Sequence, residues 1–271
     1  MAAGIAAQEA SLGRRVLLAE IGDTSYFEDY FQLDPQTVGH APRSSPLGFD
    51  LALWSGESCL HEYILHFLKV ERLYRIFFEN KVMRALLNVA PGLNEISILG
   101  KITSGVRHIG PAFGYDLVVV DGFATGHFTS LIKAPRGILE AVAIGPLAAQ
   151  SRDIEAVLRN SEICGYVLVT QHEEMPALEA IEFYRELELL LRLKPTVIAN
   201  KILKIPLGTD RLRHFRETSS ASIDEFARYL LEVNERQQKY RGLFENSIGT
   251  IKCGNDQFEY NLPGSYTGIR S

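Results

Sequence analysis

Asp121-Gly-Phe-Ala-Thr125-Gly126-His127 follows directly on the aliphatic run Tyr115-Asp-Leu-Val-Val-Val. This places an acid at the end of a buried strand and, after it, a turn with two glycines. In open parallel sheets ligands gather at the carboxyl ends of the strands. An acid there can hold a magnesium ion through water, and a glycine amide there can approach a terminal phosphate because no side chain obstructs it. The same residues also suit a plain turn, with Asp121 capping it and the glycines permitting it. Other chemistry-bearing residues are scattered. His61 and His66 fall in a helical stretch and His172 in a strand-end loop, where surface or packing roles are expected. Cys59, Cys164 and Cys253 are odd in number and widely spaced with no CxxC pair, which indicates neither a disulfide framework nor a thiolate zinc site.

The elements that must position these residues are legible in outline. Ala-rich MAAGIAAQEASLG reads as a helix with Gly13 as its C-cap and no N-cap before it. Arg14 to Glu20 reads as a buried strand, followed by the turn-like pair Gly22-Asp23. Residues 34–48, with three prolines, form a loop or extended crossing. From about Asp50 to Leu87 the pattern turns helical, with Leu60, Ile64, Phe67 and Leu68 on one face and Leu73, Ile76, Phe77 and Met83 continuing it. Pro91-Gly92 breaks the pattern and Asn94–Val106 resumes it, so residues 50–110 read as a helical subdomain inserted in a single α/β domain over 1–271. Tyr115–Asp121, Gly165–Thr170 and Pro195–Asn200 have the continuous aliphatic runs of parallel strands. The segment Glu173–Leu193 carries Leu178, Ile181, Leu187 and Leu190 at helical spacing, giving a strand–helix–strand crossover. Ser222-Ile-Asp-Glu225 is a capping box opening a helix to about Tyr240, and Gly249–Cys253 is a candidate last strand. The expected fold class is α/β, a mostly parallel sheet flanked by helices.

Composition narrows the function. Twenty-eight Lys and Arg against 33 Asp and Glu give a net charge of −5, with 46% hydrophobic residues, an ordinary globular balance. The mild acidity argues against nucleic acid as a partner, since phosphate contacts call for a basic patch. No apolar run approaches the roughly 18 to 20 residues that span a bilayer, and the N-terminus lacks the basic-then-apolar order of a signal peptide, so a cytoplasmic location is expected. A dinucleotide oxidoreductase would need a GxGxxG after a strand, and there is none.

The stretch Tyr115–His127, continued by Leu131-Ile-Lys-Ala-Pro135, closely resembles the switch II region of the ArsA-like P-loop ATPases, the family of arsenite-pump and tail-anchored-protein-targeting ATPases. Gly13–Glu20, Ala90-Pro-Gly-Leu-Asn-Glu95 and Val169-Thr-Gln-His-Glu-Glu-Met-Pro176 with Glu179-Ala180 resemble the same family in the same order, so the likeness covers roughly residues 1–205. It implies a P-loop NTPase fold, ATP and Mg2+ as cofactors, and a dimer of like subunits or a heterodimer with a related ATPase. It implies that Asp121 organises the metal through water, that the Gly126 amide senses the γ-phosphate, and that Thr125 and His127 belong to the switch that changes shape on hydrolysis. It also matches Asn200 to an adenine-contacting residue. Asn200-Lys-Ile-Leu203 has the first half of a guanine-reading NKxD but Leu where the Asp would pair with guanine, which favours adenine; a plain strand-end turn is the other reading of Asn200.

The departures matter as much. The family's switch I carries an Asp that positions the attacking water; here an ungapped comparison puts Gly22 at that place, leaving Asp23 after a one-residue shift, or Glu20, as alternatives. The zinc-binding CxxC of the targeting members is missing, so neither that metal nor that cargo carries over. The phosphate-cradling KGGxGKS/T that in the family directly precedes the first helix is also missing. Charge-assisted hydrogen bonds contribute about 1.5 to 3 kcal/mol each, so losing three weakens nucleotide binding by roughly 5 kcal/mol, several thousandfold. The chain as written is therefore expected to be nearly inactive. A start about 20 residues upstream would supply the strand and loop, and the alternative is a non-catalytic pseudo-ATPase subunit that pairs with an intact ATPase. Folding physics favours the first, because the resemblance puts the missing strand in the middle of the sheet, where its loss would leave unpaired edges. Neither the client nor a membrane partner can be inferred.

Overall fold

The computed structural model describes residues 1–34, 39, 41–68, 92–110, 114–203, 221–249 and 252–253. The chain divides into two compact units, residues 1–158 and 159–271. In each, a mostly parallel sheet is flanked by helices, so the α/β expectation holds.

The first unit begins with α1 (Ala2–Ser11) and β1 (Val16–Ile21), then a short α2 (Tyr26–Tyr30). A two-residue β2 (Arg43–Ser44) precedes β3 (Asp50–Trp54), which is followed by α3 (Gly56–Leu68) and α4 (Leu93–Arg107). Strand β4 (Leu117–Asp121) leads into α5 (Thr125–Ala141) and α6 (Pro146–Leu158). The sheet order is β2-β3-β1-β4, with β1 parallel to both neighbours and β2 antiparallel to β3. Alanine on one side of α1 lets the helix lie close on the sheet: Ala6 joins Val16, Leu18, Phe27, Phe49 and Leu51 in one buried cluster, with Ala2, Ala3, Ala7, Ala10, Leu117 and Val119 packed against it.

The helical pattern expected from about Asp50 begins only at Gly56, because residues 50–54 are β3. DLALW is as apolar as a buried helix face, and what selects the strand is burial of Leu51 to Trp54 on both sides of the sheet. Asp50 pins its start: the carboxylate accepts hydrogen bonds from Ser44 Oγ (2.7 Å) and Tyr115 Oη (2.9 Å). The expected continuation through Leu73, Ile76, Phe77 and Met83, and the break at Pro91, lie outside the described residues.

The second unit holds β5 (Val167–Thr170), α7 (Glu174–Leu191), β6 (Thr196–Ala199), the long α8 (Ala221–Ile248) and a two-residue β7 (Lys252–Cys253). Its three strands run parallel in the order β5-β6-β7. The β5–α7–β6 unit lies where the sequence places it, but the buried side of α7 is Ala177, Ala180, Ile181, Tyr184, Leu187 and Leu191, while Leu178 is 45% exposed. Small Ala177 and Ala180 let that helix approach its neighbours. Helix α8 runs eight residues past the expected end at Tyr240, and Phe244, in that extension, is fully buried. Among the described residues no helix is long and apolar enough to cross a membrane.

Candidate functional site

Parallel pairing sets the geometry of the site. The register aligns Glu20 of β1 with Asp121 of β4, so two carboxylates sit side by side at the carboxyl ends of neighbouring strands. Their surroundings differ. Glu20 is buried, and its carboxylate closes the start of α2: Oε1 accepts from the backbone N–H of Tyr26 (2.8 Å) and Phe27 (3.2 Å), and Oε2 accepts from Ser25 Oγ. Ser25 in turn accepts from the Glu28 N–H at 3.0 Å as the N-cap. These bonds satisfy amides that a helix start leaves without partners. Glu20 therefore has a full set of structural partners. The Ser25-x-x-Glu28 spacing is the sequence signal for α2, a helix hidden behind the turn expected at Gly22-Asp23.

Asp121 accepts no hydrogen bond among the described residues and is exposed. Protein packed on one side of its carboxyl nevertheless pushes its pKa up, and the positive Met1 amino group pulls part of that back. That electrostatic reach places the start of α1 near the tip of β4, in keeping with the packing of α1 on β1 and β4.

The chain then turns through Gly122 into α5, whose first residues are Thr125, Gly126 and His127. The two glycines serve different ends. A Cβ on Gly122 would meet the Phe128 ring at 3.1 Å, so the tight turn itself favours glycine there. A Cβ on Gly126 would meet nothing within 4 Å, so the fold does not demand glycine, and its exposed amide stands at a helix start with no side-chain cap. His127 is exposed, with its ring 6.0 Å from that of Phe123. Backbone amides at a helix start without a side-chain cap suit an anion, and an exposed carboxylate four residues earlier suits a hydrated divalent cation. On this donor set, the residues present fit the terminal phosphate and metal of a nucleotide, whereas among the described residues nothing replaces a Gly-rich loop with its lysine.

Asp121 and Thr125–His127 are thus brought together at one strand end. Asp23 is exposed on the bend after β1, in the same unit. Asn200 lies in the second unit, directly after β6, half-buried, with its N–H donating to the Thr170 carbonyl at 2.7 Å. Lys201 then takes a left-handed backbone (φ 54°) and turns the chain away from the strand tip. His172 is buried, in line with the packing role expected of it; the side chain of His66 lies outside the described residues.

Comparison with known proteins points the same way. No family profile matches the chain. It is 25% identical over 219 residues to the ATPase BagA of Mycobacterium tuberculosis, an alignment covering 74% of this chain and 60% of that protein. It is also 25% identical over 245 residues to a protein of Halobacterium salinarum named as an arsenical pump-driving ATPase, covering 84% of this chain and 36% of the other. The chain thus spans about 60% of the length of the mycobacterial relatives it matches. These names support a distant relationship to ATPases of the ArsA-like kind.

Proposed function

We propose that the protein is an ATP-binding and ATP-hydrolysing conformational switch of the ArsA-like kind, working as a dimer with itself or with a related ATPase. The observation that carries this reading is the placement of an exposed Asp121, which accepts no hydrogen bond among the described residues, beside the open Gly126 amide at the start of α5. Asp121 would hold Mg2+ through water, and the amides of Gly126 and His127 would meet the terminal phosphate. Thr125 to His127 would pass the loss of that phosphate to the helices after β3. Asp23 is the remaining candidate to position water, since Glu20 is already engaged at α2. Asn200 would face adenine. Magnesium, when bound, would supply charge neutralisation on the phosphates.

On this reading residues 1–271 belong to one domain, and the grip on the remaining phosphates comes from sequence upstream of Met1. The open edge of β4 supports this. Its LVVVD run has the composition of a strand buried on both faces, yet all five residues are partly or fully exposed, and β4 ends the sheet among the described residues.

Reading the in-frame codons before Met1 for Lys-Gly-Gly-x-Gly-Lys-Ser/Thr tests the upstream loop, and a stop codon immediately before Met1 overturns it. In the extended protein Asp121→Ala should lower magnesium-dependent ATP turnover by about 100-fold or more, in line with loss of metal organisation. Unchanged turnover would refute the role given to Asp121.

A further inference from the structure

His172, in the loop between β5 and α7, is a titratable group for which the proposed function has no use. It is 4% exposed, and its Nε2 is buried without a hydrogen-bond partner. Its ring lies 6.0 Å from that of Phe244, which is itself fully buried in the last turns of α8. The charged groups facing the imidazole from α8 are Arg241 and Glu245, which are joined to each other at 3.0 Å. On its own side, Glu173 and Glu174 are exposed. Burial and the Arg241 guanidinium both lower the His172 pKa, against a smaller opposing pull from Glu245.

This contact ties two places that flank β6. The His172 loop leaves β5, whose Thr170 carbonyl receives the Asn200 N–H. The end of α8 leads to β7, which pairs with Ile198 and Ala199 just before Asn200. A neutral imidazole can sit in such a place, but an imidazolium would be a second cation beside Arg241 with a buried N–H and no acceptor.

We propose that His172 is a proton-operated latch: neutral, it holds the last turns of α8 against the strand-end loop, and protonated, it releases them and loosens the β7 edge beside Asn200. The sign comes from the lowered value. Above the ordinary histidine pKa of about 6.5 the latch is intact, and packing weakens as pH falls through that value toward the lower folded-state one.

The test is hydrogen exchange of the 271-residue protein at pH 7.5 and pH 5, corrected for intrinsic rates. Protection of residues 240–248 should fall at pH 5 relative to pH 7.5, the direction set by the lowered His172 pKa, while α6 keeps its protection. His172→Phe and His172→Gln should both abolish that pH dependence. NMR titration of the wild-type imidazole should give a midpoint below about 6.5 and decides the matter if neither variant folds. A midpoint at or above that value, unchanged protection of 240–248 in the wild type, or a pH dependence that persists in the variants would overturn the latch.

Discussion

Glu20 and Asp121 end neighbouring parallel strands in the same register, yet Glu20 is bonded into the start of the next helix and Asp121 accepts no hydrogen bond among the described residues. The difference lies in the segment that leaves each strand. After Glu20 the chain runs through Gly22-Asp23-Thr24 to Ser25, which starts α2 close enough for its first amides to turn onto the Glu20 carboxylate. After Asp121 the chain runs through Gly122-Phe-Ala into α5, whose N-cap is Ala124 and makes no side-chain cap bond. Equivalent positions at strand ends thus acquire different surroundings through the capping chemistry of the next helix.

The largest expected effect breaks the structural half of the pair. Glu20→Ala leaves the Tyr26 and Phe27 amides and the Ser25 hydroxyl without their acceptor and should cost about 2–4 kcal/mol in urea unfolding. A loss no greater than that of Asp121→Asn would erase the distinction between the two acids. Ser25→Ala dismantles the same corner without touching either carboxylate and should cost about 1 kcal/mol, the usual value of an N-cap.

Asp121→Asn should leave stability within about 0.5 kcal/mol, as for a surface change away from any network. The pH dependence of that small difference carries the sign. Because the folded-state pKa of Asp121 is raised, its contribution is fully present below the ordinary carboxylate value and is lost as pH rises through the raised one. The wild type should therefore lose ground to Asp121→Asn as pH rises through that range, and a difference that moves the other way would show that Asp121 has a partner.

Asp116, before the opposite end of β4, is a useful contrast. Its hydrogen bonds and ion pair with Arg15 hold its pKa down at about 2, so by NMR it should titrate well below Asp121. Its stabilising contribution is present above the ordinary carboxylate value and is lost only as pH falls toward 2. The pair is solvent-exposed, so the effect on unfolding should be the smallest of the series. Coincident titration of the two aspartates would remove the contrast.

Much of this architecture is legible in the residues. The runs LVVVD, VLVT and TVIA announce strands because they are short, β-branched aliphatic runs of the kind parallel strands carry. The acid–turn–glycine order after LVVV locates the candidate site. Two elements escape a reading of the sequence for physical reasons. DLALW carries no period that separates a buried strand from a buried helix, and α2 is too short for periodicity to show, leaving only its Ser25-x-x-Glu28 cap. Helical spacing also puts Leu178 on the buried side of α7, yet in the first turns Ala177 and Ala180 take that side, with Ile181, Phe183, Tyr184, Leu187 and Leu191 after them.

By itself the sequence determined the α/β class and the strand Leu117–Asp121 whose end leads through a glycine turn to Thr125–His127, the candidate site, since strand and turn preferences act over a few neighbours. Only the tertiary structure decided that Glu20 lies beside Asp121, that Ser25 and two backbone amides engage it, that Gly122 is held by Phe128 whereas Gly126 is not, and that His172 meets Phe244. Those outcomes depend on strand register and on contacts between segments far apart in the chain, which no local pattern encodes.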